Sequence, residues 1–281
     1  MITRSAPTWH TEDWQILLSG SVREPEALWR RLQLPPALLP AAWRGHQAFP
    51  VRVPEPYLEK IRPGVLDDPL LRQVLPVAEE TRQTDGFVAD PLQERQSRPR
   101  PGLLHKYQSR VLLVLSGACA VNCRYCFRRH FPYGDNRLSS GDFASISAYL
   151  QNHPEVNEVI LSGGDPLVVS NARLRRLLDI LDGIPSLRRL RIHTRLPVVI
   201  PQRVDAGLLA ALERTRLAVV LVTHSNHPRE LDPRFGQAMG QLRERGVHLL
   251  NQAVLLRGVN DSADTLVDHS EALFQHGVMP Y

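Results

Sequence analysis

Ser116-Gly117-Ala118-Cys119-Ala120-Val121-Asn122-Cys123-Arg124-Tyr125-Cys126-Phe127 holds all three cysteines of the chain within eight residues. Three thiolates in this spacing can hold three irons of a [4Fe-4S] cluster and leave the fourth iron without a protein ligand. An open iron can bind a small molecule, so the spacing points to catalysis more than to electron storage. Two plainer readings compete. A structural zinc site needs four ligands as a rule, and His130 would have to complete it. Buried free cysteines are common, but three so close together are not a chance expectation.

Outward from this stretch the pattern is regular. Apolar, β-branched runs predict strands at 110–116, 158–162, 189–194, 217–223 and 247–256, with helices at 141–152, 171–182, 205–215, 233–245 and 262–276. Near-continuous apolar strands separated by helices predict an α/β fold with a parallel sheet. Right-handed crossovers would curl such units into a barrel or partial barrel, with a doubly wound open sheet as the alternative. Polar residues gather where strands end: Ser116-Gly117, Ser162-Gly163-Gly164-Asp165, His193-Thr194-Arg195, His224-Ser225-Asn226 and Asn251-Gln252. In a parallel barrel those ends share one opening. Gly277-Val278-Met279-Pro280-Tyr281 reads as the start of a sixth strand, so the chain is expected to be a fragment.

Residues 1–105 differ. Trp9, Trp14, Trp29 and Trp43 lie here among many prolines, with helices expected at 24–33 and 68–81. This reads as a helical, Pro-rich N-terminal extension, joined through Ser97-Arg98-Pro99-Arg100-Pro101-Gly102 to a core over 106–281. The 281 residues are 43% hydrophobic and 22% charged, an ordinary globular balance. There is no membrane-length apolar run and no signal-peptide pattern at the N-terminus. Clustered thiols in odd number argue for a reducing cytoplasm. The net charge is +5, and lysine occurs only at Lys60 and Lys106. The dense arginines from Arg173 to Arg191 lack interleaved aromatics, so they read as a solvated face and not as a nucleic-acid surface.

Cys-x-x-x-Cys-x-x-Cys with an aromatic residue before the third cysteine resembles the signature of the radical S-adenosylmethionine (SAM) superfamily. Ser162-Gly163-Gly164-Asp165-Pro166 resembles its second motif. There the glycines allow close backbone approach and Asp165 would accept from the SAM ammonium. The likeness narrows at His105-Lys106-Tyr107, Cys126-Phe127-Arg128-Arg129-His130-Phe131 and Asn251-Gln252-Ala253-Val254-Leu255-Leu256-Arg257-Gly258-Val259-Asn260-Asp261, which resemble the lysine 2,3-aminomutase family. Pro50-Val51-Arg52-Val53-Pro54 and Asp68-Pro69-Leu70-Leu71-Arg72-Gln73-Val74-Leu75-Pro76 are similar to its EpmB branch. That branch makes (R)-β-lysine for modification of translation elongation factor P.

The resemblance implies a partial (β/α)6-type radical SAM barrel. It also implies an isomerase that uses a [4Fe-4S] cluster, SAM and pyridoxal 5'-phosphate (PLP) to move the amino group of L-lysine from C2 to C3. The implied metal ligands are Cys119, Cys123 and Cys126. Ser162, Gly163, Gly164, Asp165, Thr194, Arg195, His224, Asn226 and Gln252 would surround SAM. Tyr107 and Arg110 would contact PLP, and Arg128 would grip the substrate carboxylate. Partners implied are a reductant such as flavodoxin or ferredoxin, elongation factor P with its ligase, and a homo-oligomer as one allowed assembly. The family's PLP-binding lysine and its two substrate-binding aspartates are expected beyond Tyr281. On this reading the chain binds cluster and SAM while its turnover is absent or very weak. An aminomutase for another amino acid, and a non-catalytic or zinc-binding fragment, are the alternatives.

Overall fold

The computed structural model describes residues 13–281 apart from Arg137; Trp9, named above with the N-terminal tryptophans, lies outside them. One sheet organises the chain: β1 (Leu103–Tyr107), β2 (Arg110–Ser116), β3 (Glu158–Gly163), β4 (Arg189–Thr194), β5 (Ala218–His224), β6 (His248–Gln252) and β7 (Met279–Pro280), in that spatial order. Strands β2 to β7 pair in parallel and β1 pairs antiparallel with β2. A doubly wound sheet would reverse its order at a switch point; this one does not. The sheet is a partial barrel, curled and not closed.

The crossover helices are α5 (Phe143–Gln151), α6 (Asn171–Asp182), α8 (Ala206–Arg214), α9 (Pro233–Arg243) and α10 (Ala263–Gln275). Four of them start on side-chain caps: Ser170, Asp205, Asp232 and Ser262 each accept from a backbone N–H one turn on. Strand alternation then divides the faces. Leu113, Leu115, Val159, Leu161, Leu190, Ile192, Leu221 and Leu249 pack outward in the core with the helices. Leu112, Ile160, Ser162, His193, His224 and Gln252 face the opposite side and line a cavity.

The N-terminal region contributes α1 (Asp13–Ser19), α2 (Pro25–Leu32), α3 (Leu39–Ala48) and α4 (Glu55–Leu58), and short α7 (Leu196–Val199) follows β4. The helix expected over 68–81 is absent. Two 3₁₀ turns, Leu71–Gln73 and Ala78–Thr81, stand there instead. Pro76 between them has no N–H to continue a helix and clashes with the preceding turn. The fifth predicted strand ends at Gln252, four residues early. There the Asn226 and Asn260 side chains take the backbone amides of Val254 and Leu256 out of the ladder. Among the described residues no helix is long and apolar enough to cross a membrane.

Candidate active site

β2 delivers the cysteine loop and β3 delivers the second-motif turn beside it. The turn docks on the loop through its backbone: Gly164 N donates to Ser116 O at 2.8 Å and Asp165 N donates to Ala118 O at 2.8 Å. This approach is what requires two glycines. A Cβ at Gly163, whose φ is +117°, would lie 2.6 Å from Ser116 O, and one at Gly164 would meet Ala118 O closer still. The glycines therefore bring two stretches of chain together before any ligand is considered.

Asp165 is fully occupied. Its Oδ1 accepts from the Thr194 hydroxyl (2.7 Å) and Leu167 N (3.0 Å), and its Oδ2 accepts from Arg195 N (2.8 Å) and Leu196 N (3.0 Å). Burial raises its carboxyl, and the four donors pull it back. Its observed work is to tie the ends of β3 and β4 together, so both oxygens are already engaged where an ammonium acceptor was expected.

The three cysteine side chains, free of disulfides, line one cavity of about 370 Å³. Ser162, Gly163, Gly164, Asp165, Thr194, Arg195, His224, Gln252 and Arg128 line it with them. Burial pushes the Cys119 and Cys126 thiols up. Among the described residues, no three His, Cys, Asp or Glu side chains stand close enough to hold a single metal ion. A four-iron cluster needs no such convergence, because each thiolate takes a different iron. The donor set and the cavity fit a cluster held at three corners.

Arg128 is buried and gripped on one edge. Its Nε donates to Glu94 Oε2 at 2.9 Å, its Nη2 donates to Glu94 Oε1, and its Nη1 donates to Ser162 Oγ at 2.8 Å. Of five N–H donors, two remain, one on each terminal nitrogen. They form the fork that a second carboxylate would take.

His193 and His224 face the cavity as neutral rings. Burial first, then the neighbouring His224, Arg191 and Arg128 charges, brings His193 down to about 4. Burial first, then Arg195, brings His224 to about 4, and Gln252 hydrogen-bonds both rings.

Three expected site residues lie elsewhere. Asn226 is buried behind the cavity, where its Nδ2 donates to Gln73 Oε1 (2.9 Å) and the Tyr125 hydroxyl (2.7 Å). Tyr107 and Arg110 sit at the far, N-terminal end of β2. There the guanidinium carbon stands 5.3 Å from the Tyr107 ring centroid, and Arg110 Nε is buried without a partner.

The chain matches the model of the radical SAM superfamily over residues 113–269. An Escherichia coli (strain K12) protein named L-lysine 2,3-aminomutase is 47% identical over 282 residues, spanning 100% of this chain and 82% of that protein. A Haemophilus influenzae protein of the same name is 46% identical over 96% of this chain and 80% of its own length. This chain belongs to the lysine 2,3-aminomutase family of radical SAM enzymes. A more distant member of the family, from Clostridium subterminale, is 38% identical over 80% of this chain and 54% of that protein.

Sequence patterns assigned no site role to Glu94, Tyr57, Gln73, Tyr125 and Glu230, and placed His193 only among the polar residues at strand ends. Three of these, Tyr57, Gln73 and Glu94, lie in the N-terminal 105 residues, where no periodic pattern tied them to the barrel. His193 lines the cavity, as its place beside the Thr194-Arg195 pair at the end of β4 implies.

Proposed function

We propose that this chain is an isomerase that rearranges L-lysine to (R)-β-lysine with a [4Fe-4S] cluster, SAM and PLP. The observation that carries the reading is the meeting of three cysteines, the Gly163-Gly164 turn and the Arg128 fork around one cavity. When bound, the cluster with SAM supplies a carbon radical that removes a hydrogen atom, and PLP carries the migrating amino group.

Cys119, Cys123 and Cys126 would hold three irons. The backbone at Ser162 to Gly164, with Thr194, Arg195, His224 and Gln252, would wall SAM. Because His193 and His224 stay uncharged at neutral pH, they add no cation beside a sulfonium. Arg128 would orient the substrate carboxylate through its two remaining donors, while Glu94 and Ser162 fix the plane of the guanidinium. Leu112, Ile160, Val199 and Val254 give the cavity apolar walls that limit water. At the far end of β2, the unpartnered Nε of Arg110 fits a residue awaiting an anion, and with Tyr107 it would take the PLP phosphate. We further propose a flavodoxin or ferredoxin as reductant and β-lysine transfer to elongation factor P by a ligase as the use of the product; both rest on the sequence resemblance.

The test is anaerobic. Reconstituted protein should carry about four irons per chain, its reduced EPR spectrum should change on adding SAM, and L-lysine should change it again. With PLP and a reductant the product, however slowly formed, is (R)-β-lysine by NMR. Iron–sulfur-free protein overturns the radical SAM assignment. A loaded chain that ignores lysine and forms no β-lysine at any enzyme load overturns the substrate assignment.

A further inference from the structure

Arg195 was expected at SAM, yet nearly all its donors are spent on protein. Its Nη1 donates to Cys123 Sγ at 2.8 Å and also to the Tyr125 hydroxyl. Its Nη2 donates to Glu230 Oε2 (2.8 Å), Gln73 Oε1 (2.8 Å) and the Tyr57 hydroxyl (3.2 Å). The guanidinium is buried, and Glu230 is completely so. Glu230 is itself fixed, accepting from Gln73 Nε2 (3.0 Å) and Asn226 N (2.9 Å). A buried cation is thus aimed by four partners, Tyr125, Tyr57, Gln73 and Glu230, at one of three sulfurs. Its charge is balanced by one buried carboxylate on the side away from that sulfur.

Burying such a pair is expensive and rarely stabilises a fold by itself. The arrangement makes sense in the currency of electrons. A positive donor on a cysteine sulfur stabilises the reduced cluster, which carries one more negative charge, over the oxidised one. In a water-poor interior a charge this close to the sulfur acts strongly.

We infer that the Arg195–Glu230 pair sets the reduction potential of the cluster through Cys123: Arg195 raises it and Glu230 restrains that rise. Arg195 is in this sense a positioning and tuning residue. The inference rests on the cluster assignment made above.

The experiment is a redox titration of the reconstituted chain, read by EPR of the reduced cluster without SAM, so that loss of SAM contacts cannot contribute. Arg195→Lys keeps a cation but loses the fork that reaches sulfur, and the midpoint should move to more negative potential. Glu230→Gln removes the balancing charge while keeping Arg195, and the midpoint should move to more positive potential. Each shift should change the reduced-to-oxidised ratio at a fixed ambient potential about tenfold, which is about 59 mV for one electron. A merely structural pair predicts damage of one kind in both variants, not opposite shifts. If Arg195→Lys does not fold, the sign of the Glu230→Gln shift decides alone. An intact cluster whose midpoint does not move in either variant overturns the inference and leaves the cluster assignment standing. A parent chain that assembles no cluster overturns both.

Discussion

At the scale of single residues, Gly164 shows how little room the site leaves. Its Cβ position is filled by the Ala118 carbonyl, a backbone atom that cannot swing aside. Gly164→Ala should therefore cost about 1–3 kcal/mol of stability by overpacking and lower iron per chain. Urea unfolding of the metal-free chain and iron analysis check this, and an unaltered midpoint with full iron loading would contradict it. Lys60 makes a second case. Its Nζ donates to Glu230 O (2.7 Å) and Val198 O (3.0 Å) and lies 3.3 Å from Asp232. With all three protons engaged and the amine buried, it is no candidate for imine formation. Borohydride reduction of the PLP-treated chain should leave Lys60 unlabelled by peptide mass mapping; a modified Lys60 would refute the assignment of these bonds as permanent.

At the scale of elements, the N-terminal region is a clamp on the cysteine loop. Asn122 N donates to Arg52 O (3.0 Å) and Arg124 N donates to Gln73 O (2.9 Å). The Arg124 side chain reaches Phe49 O (2.7 Å), Gly45 O (3.2 Å) and Glu80, which also pairs with Arg129 at 3.0 Å. Glu80→Ala removes the carboxylate shared by two largely covered guanidinium groups and should destabilise the chain by about 1–3 kcal/mol, with faster amide exchange over 119–126 in the metal-free chain. Unchanged exchange there would show that the loop holds itself. This clamp was not legible in the sequence, because its parts are backbone carbonyls and single side chains without periodicity. The barrel strands and crossover helices were legible, since β-branched runs and capped amphipathic helices are local patterns. Strand β1 was missed for a physical reason. Its hairpin turns through Gln108-Ser109 without the Asn-Gly type of signal, and its register shifts between Leu104 and Tyr107. The cysteines and the strand-end residues around the cavity were read correctly as neighbours. The placement of Asn226 behind the cavity was not, nor was the engagement of both Asp165 oxygens, because hydrogen-bond partners from distant segments decide them.

At the scale of the whole molecule, the cavity wall imposes a dependence of stability on pH. His193 and His224 hold values near 4 in the fold, against about 6.5 in the unfolded chain. Below pH 6.5 the unfolded state therefore binds protons that the folded state refuses, and stability falls with falling pH until about pH 4. Each ring contributes a slope of up to about 1.4 kcal/mol per pH unit in that window. His227 and His269, also lowered by burial, add in the same direction. Asp165, raised by burial, opposes them at the acid end, whereas Glu230, lowered by Arg195 despite its burial, loses stability there. The chain without metal should thus show a falling urea midpoint from pH 7.5 to 5, where clusters cannot confuse the readout. Replacing both rings, His193→Gln with His224→Gln, should flatten that slope while leaving the Arg195 network in place. A double variant with the parent slope would mean that the acid sensitivity lies outside the cavity and that these rings are solvated in the folded chain.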